Sequence, residues 1–139
     1  MAFRSSWRIP LGDVCRVGAR KNFYRVVTSR AQLEDLWSYL WQPGPLPKVD
    51  FDREVLLGAF LGECATGGYD IRIHRISKRR GQLIVHIKIQ RPRPQDLVTM
   101  VVTYPGHIVS IPRETLVGVK TVIFQNQNRE LLAEVPLCK

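Results

Sequence analysis

The stretch Glu63-Cys64-Ala65-Thr66-Gly67-Gly68-Tyr69-Asp70-Ile71-Arg72-Ile73-His74 (ECATGGYDIRIH) joins an apolar run, Val55 to Gly62 (VLLGAFLG), to a segment that alternates apolar and polar residues. Its paired glycines can be read as a phosphate cradle or as a bend between two strands. A phosphate loop needs the spacing G-x-x-x-x-G-K-[ST] or G-x-G-x-x-G and a helix after it, whose N-terminus meets the anion. Thr66-Gly67-Gly68-Tyr69 has neither spacing, and a strand pattern follows it. Glycine tolerates positive φ and close backbone approach. Thr66, Gly67, Gly68 and Tyr69 therefore read as a structural turn.

Downstream of the turn, the pattern specifies a hairpin. Tyr69, Ile71 and Ile73 are apolar and Asp70, Arg72 and His74 polar. On the next strand Leu83, Val85, Ile87 and Ile89 are apolar, while His86, Lys88 and Gln90 are polar. One apolar face across both strands requires odd residues opposite odd ones, which a three-residue loop Arg79-Arg80-Gly81 provides, with Gly81 in the left-handed position. In that register His74 faces His86, Arg72 faces Lys88, Asp70 faces Gln90 and Ile76 faces Ile84. Like charges directly opposite disfavour pairing, so Arg72 and Lys88 splay or meet an anionic group. Together with His74, His86, Arg79 and Arg80 they make a basic outer face, the candidate partner-binding surface.

Upstream, Glu54 to Leu61 is apolar on both faces, as in a central strand covered on both sides. A helix is expected over 29 to 41. Ser29 followed by Gln32 is a capping-box signature, and Leu33, Leu36, Trp37 and Leu40 form one apolar stripe. Pro43-Gly44-Pro45 ends it. Phe23 to Val27, Leu97 to Tyr104, His107 to Ile111, Val117 to Phe124 and Leu131 to Val135 read as further strands. The fold class is α+β: a mostly antiparallel β-sheet or open barrel with one amphipathic helix.

The chain of 139 residues suits a single domain over 1–139. Twenty-one Lys and Arg against 12 Asp and Glu give a net charge of +9, which attracts polyanions or an acidic protein surface in a salt-sensitive way. No apolar run approaches the roughly 20 residues of a membrane-spanning helix. The N-terminal stretch has no apolar h-region, so no signal peptide is visible and the sequence as it stands reads as cytoplasmic. Cys15, Cys64 and Cys138 are an odd set without close spacing. They read as reduced thiols.

The chemistry-bearing constellations are sparse. His74 and His86 could reach one ion, but a metal site needs three or four donors, and nothing places His107 or Cys64 beside them. No G-x-S-x-G elbow is present, and no carboxylate pair can be picked out by spacing. No catalytic residue, metal or cofactor is expected. Nucleic-acid binding through the basic hairpin, with Arg75, Lys78, Arg91 and Arg93 added, is the rival to protein binding. It lacks a stacking motif such as RNP1.

An ordered series of short pieces adds to this reading. Pro47-Lys48-Val49-Asp50-Phe51, the strand ending Phe60-Leu61-Gly62, and Thr66-Gly67-Gly68-Tyr69 with Ile71 and Ile73 come first. Leu83 and Val85, Pro92 and Pro94, Thr103-Tyr104-Pro105 and Val109-Ser110-Ile111-Pro112 follow. Over about residues 23 to 113 this resembles the C-terminal domain of the PrcB family, named for a protease complex subunit, with C-terminal strands over 117–135 beyond that core. The resemblance implies a non-catalytic accessory domain that binds and stabilises a protein partner, in the founding case a subtilisin-like protease. Family members are usually exported or lipid-anchored, so a mature form would be extracytoplasmic. The leading expectation is protein binding, with polyanion or nucleic-acid binding as the alternative.

Overall fold

A computed structural model describes residues 5–8, 22–40, 46, 48–62, 64, 67–98, 100 and 105–137. Its elements run β1 (Ser5–Arg8), β2 (Phe23–Val27), α1 (Arg30–Leu40), β3 (Glu54–Phe60), β4 (Asp70–Arg79), β5 (Gln82–Gln90) and β6 (Gly106–Pro112). A 3₁₀ turn (Arg113–Leu116), β7 (Thr121–Gln125) and β8 (Leu131–Pro136) complete the order. Two four-stranded sheets form, ordered β1-β6-β3-β2 and β4-β5-β7-β8. They do not close into a barrel, which settles the architecture as α+β with two sheets. All pairs are antiparallel except β5 with β7, which is parallel.

The first sheet is covered on both faces because its central strand is apolar on both. Val55, Leu57 and Ala59 of β3 point toward the second sheet, joined by Val109 and Ile111 of β6. Leu56 and Phe60 point the other way, onto Leu33 and Leu36 of α1. The second sheet contributes Ile71, Ile73, Leu83, Val85, Ile87, Val122 and Phe124 to the shared core. Burying each Val, Leu, Ile or Phe side chain fully contributes roughly 1.5–3 kcal/mol, so this apolar layer is the main cohesion between sheets. Tyr24 and Phe124 add a ring contact across it at 5.3 Å.

The helix begins where the capping signature puts it, with a shift in partner. Ser29 Oγ accepts the Gln32 N–H at 3.3 Å, but Gln32 Oε1 accepts the Thr28 N–H at 2.7 Å, one residue earlier than a capping box requires. Trp41 and Pro43 to Pro45 lie outside the described residues.

The hairpin register holds for its first half and shifts in its second. Asp70 faces Gln90 and Arg72 faces Lys88 as expected, and Ile73 faces Ile87. A β-bulge then lies between Ile73 and Arg75, so that Arg75 faces His86, Ile76 faces Val85 and Arg79 faces Gln82. His74 is therefore not the direct partner of His86, and Ile76 is not that of Ile84. The apolar spacing gives the reason. Ile71 and Ile73 share one parity and Ile76 has the other, so one extra residue must be absorbed before Ile76 can turn inward. Ile76 is 3% exposed. The tip is consequently a two-residue turn, with Arg80 at φ 45 and Gly81 at φ 80, the double positive φ of a type I′ hairpin.

Other boundaries moved too. Leu97, Val98 and Met100 are not in a strand, and residues 101–104 lie outside the described set. Val117 to Lys120 form a turn and a coil ahead of β7 rather than its first half. β1 and the 3₁₀ turn had no sequence signal.

Candidate basic face and its concavity

The second sheet packs one face on the core and turns the other outward. On β4 and β5 that outer face carries Arg72, His74, Arg75, Ser77 and Arg79 beside Ile84, His86, Lys88 and Gln90, all at least partly exposed. Ile123 and Gln125 of β7 extend it. The carboxylates nearest in register, Asp70 at the start of β4 and Glu134 on β8, stand at its margins.

Three strands set one row across this face. Arg75 pairs with His86, which pairs with Gln125, at the interstrand spacing of about 4.8 Å. His86 is held from both sides. The Gln125 Nε2 amide, which can only donate, lies 3.3 Å from His86 Nδ1, and His86 Nε2 lies 2.9 Å from Ser77 Oγ. That leaves Nδ1 as acceptor and Nε2–H as donor to the serine. Burial is the main influence lowering the His86 pKa below its ordinary value, with Arg75, His74 and Arg129 adding positive charge nearby. His74 sits edge-on to His86 with ring centroids 6.4 Å apart.

Arg129 arrives from the turn after β7. Asn126 Oδ1 accepts the N–H groups of Asn128 at 2.9 Å and Glu130 at 3.0 Å, closing the turn. Gln127 continues the β5–β7 ladder with its side chain, accepting the Ile89 N–H at 3.1 Å and donating to the Ile89 carbonyl at 2.8 Å. Arg129 itself takes φ 62, a left-handed conformation that costs a non-glycine residue roughly 1–2 kcal/mol.

Between this turn and the hairpin lies a concavity of about 610 Å³. Among the expected partner-binding residues, His74, Arg79 and His86 line it. Arg72, Lys88 and Arg80 stand outside its lining, the first two facing one another. Arg75, Lys78 and Arg129 join the lining. Lys78 is committed, since its Nζ donates to the Val117 carbonyl at 2.6 Å. Arg129 was not identified from the sequence as part of the site. Only the parallel pairing of β5 and β7 brings its turn alongside, and that pairing leaves no local signal. Arg93, read as part of the basic patch, is tied up by Asp96 in a two-point contact at 3.0 and 3.2 Å.

The opening turn is a close approach and not a cradle. Gly68 has φ 89, and a Cβ there would lie 2.8 Å from both Pro92 Cβ and Val98 Cγ1. Gly67 is buried, and Tyr69 packs half-buried against the core; Thr66 lies outside the described residues. Cys64 is a buried free thiol, its pKa raised by burial, while Cys15 and Cys138 lie outside the described residues. Among the described residues no three His, Cys, Asp or Glu side chains cluster as metal ligands. No helix among them is long and apolar enough to cross a membrane.

Comparison with known families agrees with the sequence resemblance. Residues 55–112 match the PrcB C-terminal family. The matched segment runs from β3 through β6, so it spans both sheets and includes the whole hairpin with His74, Arg75, Arg79 and His86. Gln125 and Arg129, which close the concavity, lie beyond it. No curated protein and no solved structure matches the chain.

Proposed function

We propose that the chain is a non-catalytic accessory domain that binds a protein partner through the outer face of the second sheet. One observation carries this reading. The first sheet is sandwiched between α1 and the second sheet, whereas the second sheet's outer face is exposed among the described residues and carries cations at its centre and carboxylates only at its margins. A face with Ile84 and Ile123 half-buried among arginines has the mixed apolar and guanidinium character of a protein interface. The family match supports the same reading, since the PrcB resemblance implies a subunit of a protein complex, in the founding case with a protease.

The test is site-specific photo-crosslinking from position 88, comparing the otherwise unaltered chain with the Arg72→Glu, Arg79→Glu charge-reversed form. One discrete protein adduct, insensitive to nuclease and lost in the charge-reversed form, is expected. Adducts to nucleic acid that disappear with nuclease would replace this reading with polyanion binding, which the net charge of +9 favours on its own.

A further inference from the structure

We propose that the concavity between the β4–β5 hairpin and the β7–β8 turn is a binding site for a phosphate-type tetrahedral oxyanion, held between guanidiniums of Arg75 and Arg129. The site goes beyond the protein-binding reading and stands or falls separately from it. Three features of the cavity specify the ligand's chemistry.

The first is uncompensated charge converging from separate elements. Arg75 and Arg79 project from β4 and Arg129 from the turn after β7, all lining one space of about 610 Å³. Among the described residues the ion pairs are Arg30–Glu34, Arg53–Asp50 and Arg93–Asp96, all elsewhere. A carboxylate would offset one of these charges. A dianion with three shared oxygens can be gripped by planar guanidiniums from opposite walls, the geometry for which arginine is suited.

The second is the state of the neutral donors. Ser77 accepts the His86 Nε2–H, which leaves its own hydroxyl proton to donate. Gln125 gives one amide proton to His86 and keeps the other. His74 has no hydrogen-bond partner among the described residues and lines the same space. Donors outnumber acceptors here, so the cavity is built to receive an acceptor-only group.

The third is how Arg129 is placed. The turn is fixed by four side-chain hydrogen bonds, two accepted by Asn126 Oδ1 and two made by the Gln127 side chain with the Ile89 backbone. Backbone bonds from the Asn126 N–H to the Glu130 carbonyl and from the Arg129 N–H to the Asn126 carbonyl add to these. Its left-handed position is occupied by an arginine at φ 62, where glycine would fit without strain.

Inorganic phosphate and O-phosphoserine are the probes, titrated into the full chain at constant ionic strength against chloride and followed by the ring resonances of His74 and His86. Saturable shifts with a phosphate species, and a rise in the His86 pKa when it is bound, are expected. The pKa rises because the bound dianion offsets Arg75, Arg79, Arg129, Lys78 and His74 around that ring. Arg75→Ala and Arg129→Gly should each weaken binding about tenfold or more, the loss of a charge-assisted hydrogen bond. Arg129→Gly should do so without loss of stability, because it removes the left-handed strain. Tenfold tighter binding of the monoester than of inorganic phosphate identifies a phosphate presented on a larger molecule, and equal or weaker binding identifies the free ion. Shifts no larger than with chloride, or variants that bind as the parent does, overturn the proposal.

Discussion

Substituting Gly68 by alanine tests whether the turn after β3 is a close approach of backbone to neighbouring chain or merely a flexible link. Two costs add there. An alanine at φ 89 loses roughly 1–2 kcal/mol to left-handed strain. Its Cβ would lie 2.8 Å from Pro92 Cβ and from Val98 Cγ1, so two separate residues would have to shift to admit it. Overpacking of that kind costs about 1–3 kcal/mol, so the total is about 2–5 kcal/mol. Gly118 supplies the control, because its φ is 79 but nothing lies within 4 Å of the position its Cβ would take. Gly118→Ala should therefore cost only the conformational part, about 1–2 kcal/mol. Urea denaturation separates the two. With a slope of about 2 kcal/mol per molar for a chain of this size, the midpoint should fall by about 1–2.5 M for Gly68→Ala and about 0.5–1 M for Gly118→Ala. Equal shifts would refute the close approach and return Gly67-Gly68 to a simple bend.

Three further outcomes follow from the same structure. The folded chain holds the His86 pKa below its ordinary value, so as pH falls below about 6.5 the unfolded chain takes up the proton first. Stability should be full above that pH and decline beneath it, and His86→Gln should flatten the decline in denaturation midpoints measured from pH 8 to pH 5. Deleting His74 removes the residue that the bulge absorbs, leaving Arg75 opposite His86 and Ile76 still opposite Val85. The deletion should cost less than about 1 kcal/mol, whereas a bulge-free hairpin would have its inward row inverted by it and would unfold. His107 of β6, 5% exposed, accepts the Ile73 N–H through Nδ1 at 2.9 Å and ties the two sheets at the edge of β4. His107→Leu should orphan that amide, cost about 1–3 kcal/mol and raise hydrogen exchange at Ile73 more than at Ile87.

What could be read from the sequence was what repeats locally. The period of two along Ile71 and Ile73, the stripe of Leu33 and Leu36, and the two-faced apolar run of β3 each leave a mark within a few residues, and each element stands where the pattern put it. The bulge was visible as well, in the break of parity between Ile73 and Ile76, but an assumed three-residue loop concealed it by letting Ile76 face outward. The partition into two sheets was not visible, because nothing in β5 or β7 says that they run parallel. That one non-local pairing decides the site. It carries the Asn126 to Glu130 turn to the side of the hairpin and adds Arg129 and Gln125 to a row that the hairpin alone begins with Arg75 and His86. The basic patch read from the sequence was a list of cations along one strand pair. In the folded chain, Arg72 and Lys88 confront each other at one end, Lys78 is spent on a carbonyl and Arg93 on a carboxylate. The patch is therefore uneven: Arg75 and Arg79 line the concavity together with Arg129, while its other cations stand outside that lining or are held by a hydrogen bond. A diffuse basic face would attract any polyanion in proportion to its charge. Uncommitted guanidiniums around one bounded cavity instead favour a ligand that can be gripped from two sides.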